Sequence, residues 1–176
     1  MSEISVRLLD EENWSEYRDV RLRALRESPE AFVASAEEED DYPEERWRDR
    51  MRRSRRLVAE ADGSAKGVAS LGSYAADPAM GELFGLWVEP ASRGAGVARK
   101  LLEAAAAQAR ADERKHLVYW VGTDNGRAVA FASSFGFRPT DSRRPMRIHG
   151  VDDAEDAEEL AMVLPLGNTS GLPTSL

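Results

Sequence analysis

Residues 93–98 read Arg93-Gly94-Ala95-Gly96-Val97-Ala98. They sit between an apolar run, Leu83 to Val88, and a long alanine-rich run that starts at Arg99. This order reads as strand, glycine loop, helix. At such a junction the first helical N–H groups have no carbonyl of their own, and the positive end of the helix dipole lies at the same point. Together they make a phosphate site built mostly of backbone. Two known nucleotide loops do not fit. A Walker loop ends in Gly-Lys-Ser/Thr, whereas Val97-Ala98-Arg99 stands here. A dinucleotide loop needs a third glycine and a βαβ setting near the chain start. Here the series stops at two glycines and follows an antiparallel meander.

The rest of the chemistry is bounded by what the chain lacks. It has no cysteine and only two histidines, His116 and His149. That excludes a thiolate nucleophile, a disulfide and a cysteine zinc site, and it supplies a histidine metal cluster or a serine–histidine triad poorly. Catalysis then falls to backbone, carboxylates, hydroxyls or bound water, with no metal expected. The 176 residues, 42% hydrophobic and 32% charged, fit one globular domain over 1–166, followed by a flexible tail over 167–176, GNTSGLPTSL. A net charge of −8 argues against nucleic-acid binding. No apolar stretch approaches the roughly 20 residues of a membrane span, and Met1 to Asp10 has no apolar core of a signal peptide. The expected location is cytoplasmic, with no membrane partner.

The elements around the glycine loop follow from hydrophobic period and turn residues. Ile4 to Leu9 alternates as a half-buried strand. Trp14, Tyr17, Leu22 and Leu25 recur at helical spacing until Ser28-Pro29 stops the helix. After Glu30-Ala31-Phe32-Val33 comes an acidic run, Glu37 to Asp41, and then a helix opened by Pro43-Glu44-Glu45. That helix is expected to carry arginines at 46, 48, 50, 52, 53, 55 and 56, with Trp47 and Met51 on its buried face. Its charges are read as a solvated, internally paired surface or, more sharply, as a basic wall beside an acidic acceptor or the cofactor phosphates. Leu57 to Ala61 and Gly67 to Tyr74 form a hairpin across Asp62-Gly63. The Leu83 strand, the alanine helix to Ala111 and a strand from His116 to Val121 follow. The crossover makes the last two strands parallel. Asn125 stands in the next loop, a short helix ends at Gly136, Asp141 to Asp156 reads as a long loop, and Glu159 to Leu164 is a last strand.

On these residues the sequence resembles the GCN5-related N-acetyltransferase (GNAT) family. The matching motifs are Val88-Glu89-Pro90, the loop Arg93 to Ala98, Asn125, and Gly136-Phe137, strongest over Leu57 to Pro139. The resemblance implies an α/β (α+β) fold: a mixed, mostly antiparallel sheet of six to seven strands with a splayed parallel pair, flanked by about four helices. It implies acetyl-CoA as cosubstrate and an amine acceptor, and it is compatible with a homodimer. Carried onto this chain, the amides of Arg93, Gly94, Ala95, Gly96, Val97 and Ala98 would hold the pyrophosphate. Arg99 or Lys100 would face the outer phosphates. Leu86, Trp87 and Val88 would pair by backbone with the pantetheine arm as an added strand does. Asn125 would contact the cofactor from the next loop.

The implied reaction is direct attack of a primary amine on the thioester, with no covalent enzyme intermediate. An alkyl amine with a pKa near 10.4 must first lose a proton, so a base is needed. Glu82 is the first candidate, on a strand alternation with Phe84, Leu86 and Val88 if no bulge intervenes. Glu37, Glu38 and Glu39 come next. The Val88 amide is the candidate oxyanion donor. The chain departs from the family where a Tyr often protonates the leaving thiolate, because that position is Ala132. Ser134, Ser133, Tyr119, Tyr74 or water would have to substitute. The alternative is a non-catalytic acyl-CoA-binding or sensory domain.

Overall fold

The computed structural model describes residues 3–32, 34–145 and 158–167. Seven strands form one sheet in the order β1-β2-β3-β4-β5-β7-β6. They are β1 (Ser5–Leu9), β2 (Arg55–Ala61), β3 (Ser64–Tyr74), β4 (Asp77–Val88), β5 (His116–Gly122), β6 (Arg138–Pro145) and β7 (Glu158–Pro165). Among the described residues five α-helices flank it: α1 (Trp14–Glu27), α2 (Ala36–Asp40), α3 (Glu44–Arg53), α4 (Val97–Ala111) and α5 (Gly126–Phe135). This is the mixed α/β architecture expected, with one helix more, because Ser35 caps a short α2 within the acidic run by accepting from the Glu38 amide at 3.2 Å. The segment expected as a loop from Asp141 begins instead as the edge strand β6, paired with β7 from Arg138 to Pro145. Its alternation is nearly all polar, which hid it. Residues 146–156 of that segment, Val33 and the tail beyond Gly167 lie outside the described residues.

The sheet is the middle of three layers. On one face Leu57, Ala69, Leu71, Leu83 and Leu117 pack against Leu101, Leu102, Ala105 and Ala109 of α4. Alanines at the contact let the helix lie close to the sheet. On the other face Val58, Val68 and Trp87 meet Tyr17, Val20 and Leu25 of α1 and Trp47 and Met51 of α3.

Among the described strands only β4 and β5 are parallel. Their pairing runs from Met80↔His116 to Leu83↔Tyr119 and stops there. Beyond it β5 pairs with β7 through Gly122, while β4 continues along β3 to Val88. The two strands therefore part, and the wedge between them opens at Leu86. At the same place β4 carries a bulge. Ser70 faces Phe84 and Val68 faces Trp87, so Gly85 and Leu86 together oppose Ala69. Gly85 has φ +62, a conformation costly for any residue with a Cβ. The bulge reverses the alternation. Glu82 and Phe84 lie on the face that Trp87 occupies, and Leu86 and Val88 on the α4 face. The expectation that Glu82 shares a face with Leu86 and Val88 is corrected accordingly, since it held only without a bulge.

Candidate functional site

A cleft of about 660 Å³ runs from this wedge to the start of α4, lined by Leu86, Trp87, Val88, Arg93, Gly94, Gly96, Val97, Ala98 and Arg99 on one wall. Tyr119, Asn125, Arg127, Ala128 and Phe131 form the other wall, and Ala31 and Ser92 complete the lining. Ten of the eleven residues expected at a cofactor are thus brought together. The eleventh, Ala95, is exposed and outside the lining. Its amide turns back to the Ser92 carbonyl at 3.4 Å.

The backbone at both ends of the cleft is available. Gly94 and Gly96 have φ +84 and +91, and a Cβ at either would meet nothing within 4 Å. Glycine is needed there for the turn, not for space. The turn ends in α4 with Gly96 as N-cap and no side-chain cap. The first α4 amides therefore face the cleft without an intrahelical acceptor, and the dipole favours an anion there. Arg93, Arg99 and Arg127 stand around the same mouth. At the strand end, the Glu89 amide donates to the Lys66 carbonyl at 2.9 Å. By strand alternation the Val88 and Leu86 amides then point the other way, into the wedge where β5 no longer pairs.

The position of this strand end is fixed by polar locks. Trp87 Nε1 donates to Ser28 Oγ at 2.9 Å, and Arg93 donates to the same oxygen at 3.3 Å and to the Val88 carbonyl at 3.1 Å. The buried Glu89 accepts from Arg23, Ser92 and Lys66. Asn125 caps α5, its Oδ1 accepting from the Ala128 amide at 3.1 Å, which leaves its NH₂ end for the cleft. Ala128 and Phe131 follow Asn125 at i+3 and i+6, a helical spacing from which their place on the cleft could have been read. Ser28 and Arg127 carried no such signal.

The candidates for proton chemistry are spread out. Glu82 lies on β4 three residues before the bulge and does not line the cleft. Burial raises its carboxyl above the ordinary value of 4.5, and the Glu159 charge adds to this. Arg144 opposes, as does the Trp120 indole, which faces the carboxyl without hydrogen-bond geometry. Tyr119 lines the cleft beside Phe137. Burial, with a smaller push from Glu159, raises its hydroxyl to about 12. Tyr74 instead packs with Met80 and Val118 on the opposite face. Ser134 is exposed and donates to the Phe131 carbonyl of its own helix at 2.7 Å, so it does not meet the cleft. Ala132 has no exposure and belongs to the α4 core, with Phe131 presented to the cleft beside it. Glu39 is also buried, but it is bound by Arg21 at 3.1 Å and Arg50 at 2.7 Å. Burial works to raise its pKa, and those two guanidiniums more than offset it, leaving the carboxyl below its usual range.

A model of the acetyltransferase (GNAT) family matches residues 11–137. A protein of Archaeoglobus fulgidus described as an uncharacterized N-acetyltransferase is 38% identical over 93 residues, 51% of this chain. The chain spans 60% of that relative's length. Among solved structures, yncA of Salmonella typhimurium, determined with its cofactor acetyl-CoA, has a TM-score of 0.69 at 21% identity, covering 96% of each chain. The ribosomal-protein-S18-alanine N-acetyltransferase of Escherichia coli has a TM-score of 0.68 at 18% identity, covering 96% of this chain and 97% of that one. These two likenesses are likenesses of fold.

Proposed function

This chain belongs to the acetyltransferase (GNAT) family, and we propose that it transfers the acetyl group of acetyl-CoA directly to a primary amine. The carrying observation is that the unpaired edge of β4 leads without interruption to the uncapped start of α4 inside one cleft. The donor set fits CoA. The α4 amides, Gly94, Gly96 and the nearby arginines suit a pyrophosphate, and the Leu86 and Val88 amides suit the amide-bearing pantetheine arm. The Leu86 amide, within the bulge where the wedge opens, takes the oxyanion in place of the Val88 amide expected from the sequence, and Val88 holds the arm behind it.

Glu82 serves as base through water. Burial raises its carboxyl above the ordinary value of 4.5, which makes it a stronger base than a free carboxylate. Tyr119 faces the leaving sulfur. A hydroxyl at about 12 does not give its proton to a thiolate of ordinary pKa, about 8.5. Tyr119 therefore stabilises the thiolate by hydrogen bonding, and solvent supplies the proton. This division of labour removes the need for a tyrosine at Ala132.

Titrating the full chain with CoA and following free thiol with acetyl-CoA and a panel of amines tests the reading. CoA binding with amine-dependent thiol release is expected. Failure to bind CoA sinks it. Tight CoA binding with no release above buffer favours instead a non-catalytic acyl-CoA-binding domain, the second reading, for which the buried Ala132 speaks.

A further inference from the structure

Behind the bulge lies a second pocket of about 280 Å³, between α1, α3 and strands β2 to β4. It touches the first cleft at two seams. Gly85 lines the pocket and Leu86 the cleft, and Phe32 lines the pocket and Ala31 the cleft. Four arginines line it, Arg21, Arg50, Arg53 and Arg56, and no carboxylate does among the described residues. Glu39, behind the wall, answers Arg21 and Arg50 with a single charge. Arg53 pairs with Asp49.

Arg56 is different. Its residue is 6% exposed. One terminal nitrogen donates to Ser70 Oγ at 2.7 Å and the other to the Arg50 carbonyl at 3.1 Å, both neutral oxygens. Its buried Nε has no partner among the described residues. The guanidinium lies 4.7 Å from the Tyr17 ring and 5.5 Å from the Phe84 ring, contacts that offset only part of a desolvated charge. Burial, and repulsion from Arg50, Arg21 and Arg53, lower its pKa despite Tyr17. A buried charge left uncompensated is costly, and an orphaned buried donor calls for a partner. The rest of the lining is mixed: Tyr17, Ser54 and Ser70 beside an apolar side formed by Ala24, Phe32, Val68 and Phe84, the last at 37% exposure and one of two large apolar side chains exposed among the described residues.

We propose that this pocket holds the acceptor and that Arg56 binds a carboxylate on it, so that the acceptor is a small amino acid-like amine with an apolar body. The proposal rests on the acetyltransferase reading of the neighbouring cleft. A carboxylate against the pocket side of the Arg56 guanidinium supplies the missing counter-charge and neutralises the arginine wall. The apolar body covers Phe84 and Phe32. The amine then points at the Gly85–Leu86 seam, the one place where the pocket adjoins the cleft on β4. The volume suits a single residue-sized molecule rather than a folded protein surface.

The experiment uses the full chain with acetyl-CoA and three matched acceptors: free L-phenylalanine, L-phenylalaninamide and phosphoethanolamine. Thermal shift with phenylacetate, which carries the carboxylate and no amine, reads the anion site without turnover. A separate CoA titration reads the cleft. Phenylacetate should raise Tm, and the free amino acid should exceed its amide in kcat/KM by about 10- to 100-fold, the value of one charged hydrogen bond. In Arg56→Met that discrimination should vanish and phenylacetate should lose its effect, with CoA affinity kept. Equal rates for acid and amide, no response to phenylacetate, or preference for phosphoethanolamine would each overturn the assignment, and the first two comparisons need no variant. Loss of CoA binding would instead count against the acetyltransferase reading and leave the phenylacetate result standing.

Discussion

Trp87 and Ser28, fifty-nine residues apart, are joined by a buried hydrogen bond of 2.9 Å from the indole N–H to the hydroxyl. It ties the end of α1 to the open end of β4, and Arg93 uses the same oxygen to hold the start of the glycine loop. Replacing Ser28 by Ala leaves the Trp87 N–H buried without an acceptor and frees one side of the Arg93 fork. The cost should be about 1–3 kcal/mol, seen as a lower midpoint in urea unfolding. CoA affinity should fall as well, because strand end and loop lose their common anchor. Unchanged stability would mean that the indole finds another acceptor.

Gly96 tests the helix start separately from the fold. At φ +91 with open space around it, alanine meets no clash and only backbone strain, about 1–2 kcal/mol. The loop relaxes by rotating toward negative φ, which turns the following amides away from the cleft. CoA binding measured by calorimetry should weaken about tenfold, with Tm lower by only a few degrees, about 2–4 °C per kcal/mol of strain left unrelaxed. An equal loss of stability and affinity would show that the loop supports the fold itself.

The glycine loop, its strand and its helix were legible because each rests on local signals: an apolar run, two glycines at an αL turn, and a run of helix formers. The parallel partner strand followed from crossover handedness. The bulge at Gly85 was not legible. A glycine inside a strand is compatible with a regular pleat, and only the register against Ser70 and Val68 shows the extra residue. Because one residue reverses a strand's faces, the bulge decides the condition on which the facing of Glu82 depended, and it puts Glu82 on the face opposite Leu86 and Val88. The arginine-rich helix was legible as charge but not as geometry. Arg48 and Arg52 pair outward with Glu12, Glu11 and Glu45, while Arg50 turns inward to Glu39. Ser134 has a hydroxyl of the right chemistry, but that hydroxyl donates its hydrogen bond to the Phe131 carbonyl of its own helix.

Glu39 is the fixed anion of the arginine cluster. At 1% exposure it accepts from Arg21 and Arg50, so Glu39→Gln leaves two guanidiniums facing each other without a counter-charge. Removing one partner of a buried pair costs about 3–5 kcal/mol, or roughly 10 °C in Tm at this size. The wild-type carboxyl sits below its ordinary value of 4.5. Its stabilisation is therefore present above 4.5 and is lost as pH falls through the folded value. Wild type and variant should converge on acidification in pH-dependent denaturation. A gap that stays constant down to the acid limb would show that volume or packing, not charge, separates them.

Glu82 gives the opposite sign. Burial first, and Glu159 second, lift its folded pKa above 4.5. The native state then binds more protons than the unfolded state between those two values, and stability declines as pH rises through that window. Glu82→Gln cannot ionise, so it should be more stable than wild type at neutral pH and lose that advantage near pH 4.5. Its acetyl-transfer kcat/KM should fall by about 10²–10⁴, the range for a general base. The acidic limb of the pH–rate profile should also disappear, because the carboxylate that must be deprotonated is gone. A variant with both greater stability and an unchanged pH profile would confine Glu82 to burial on β4 and pass the base role to another group.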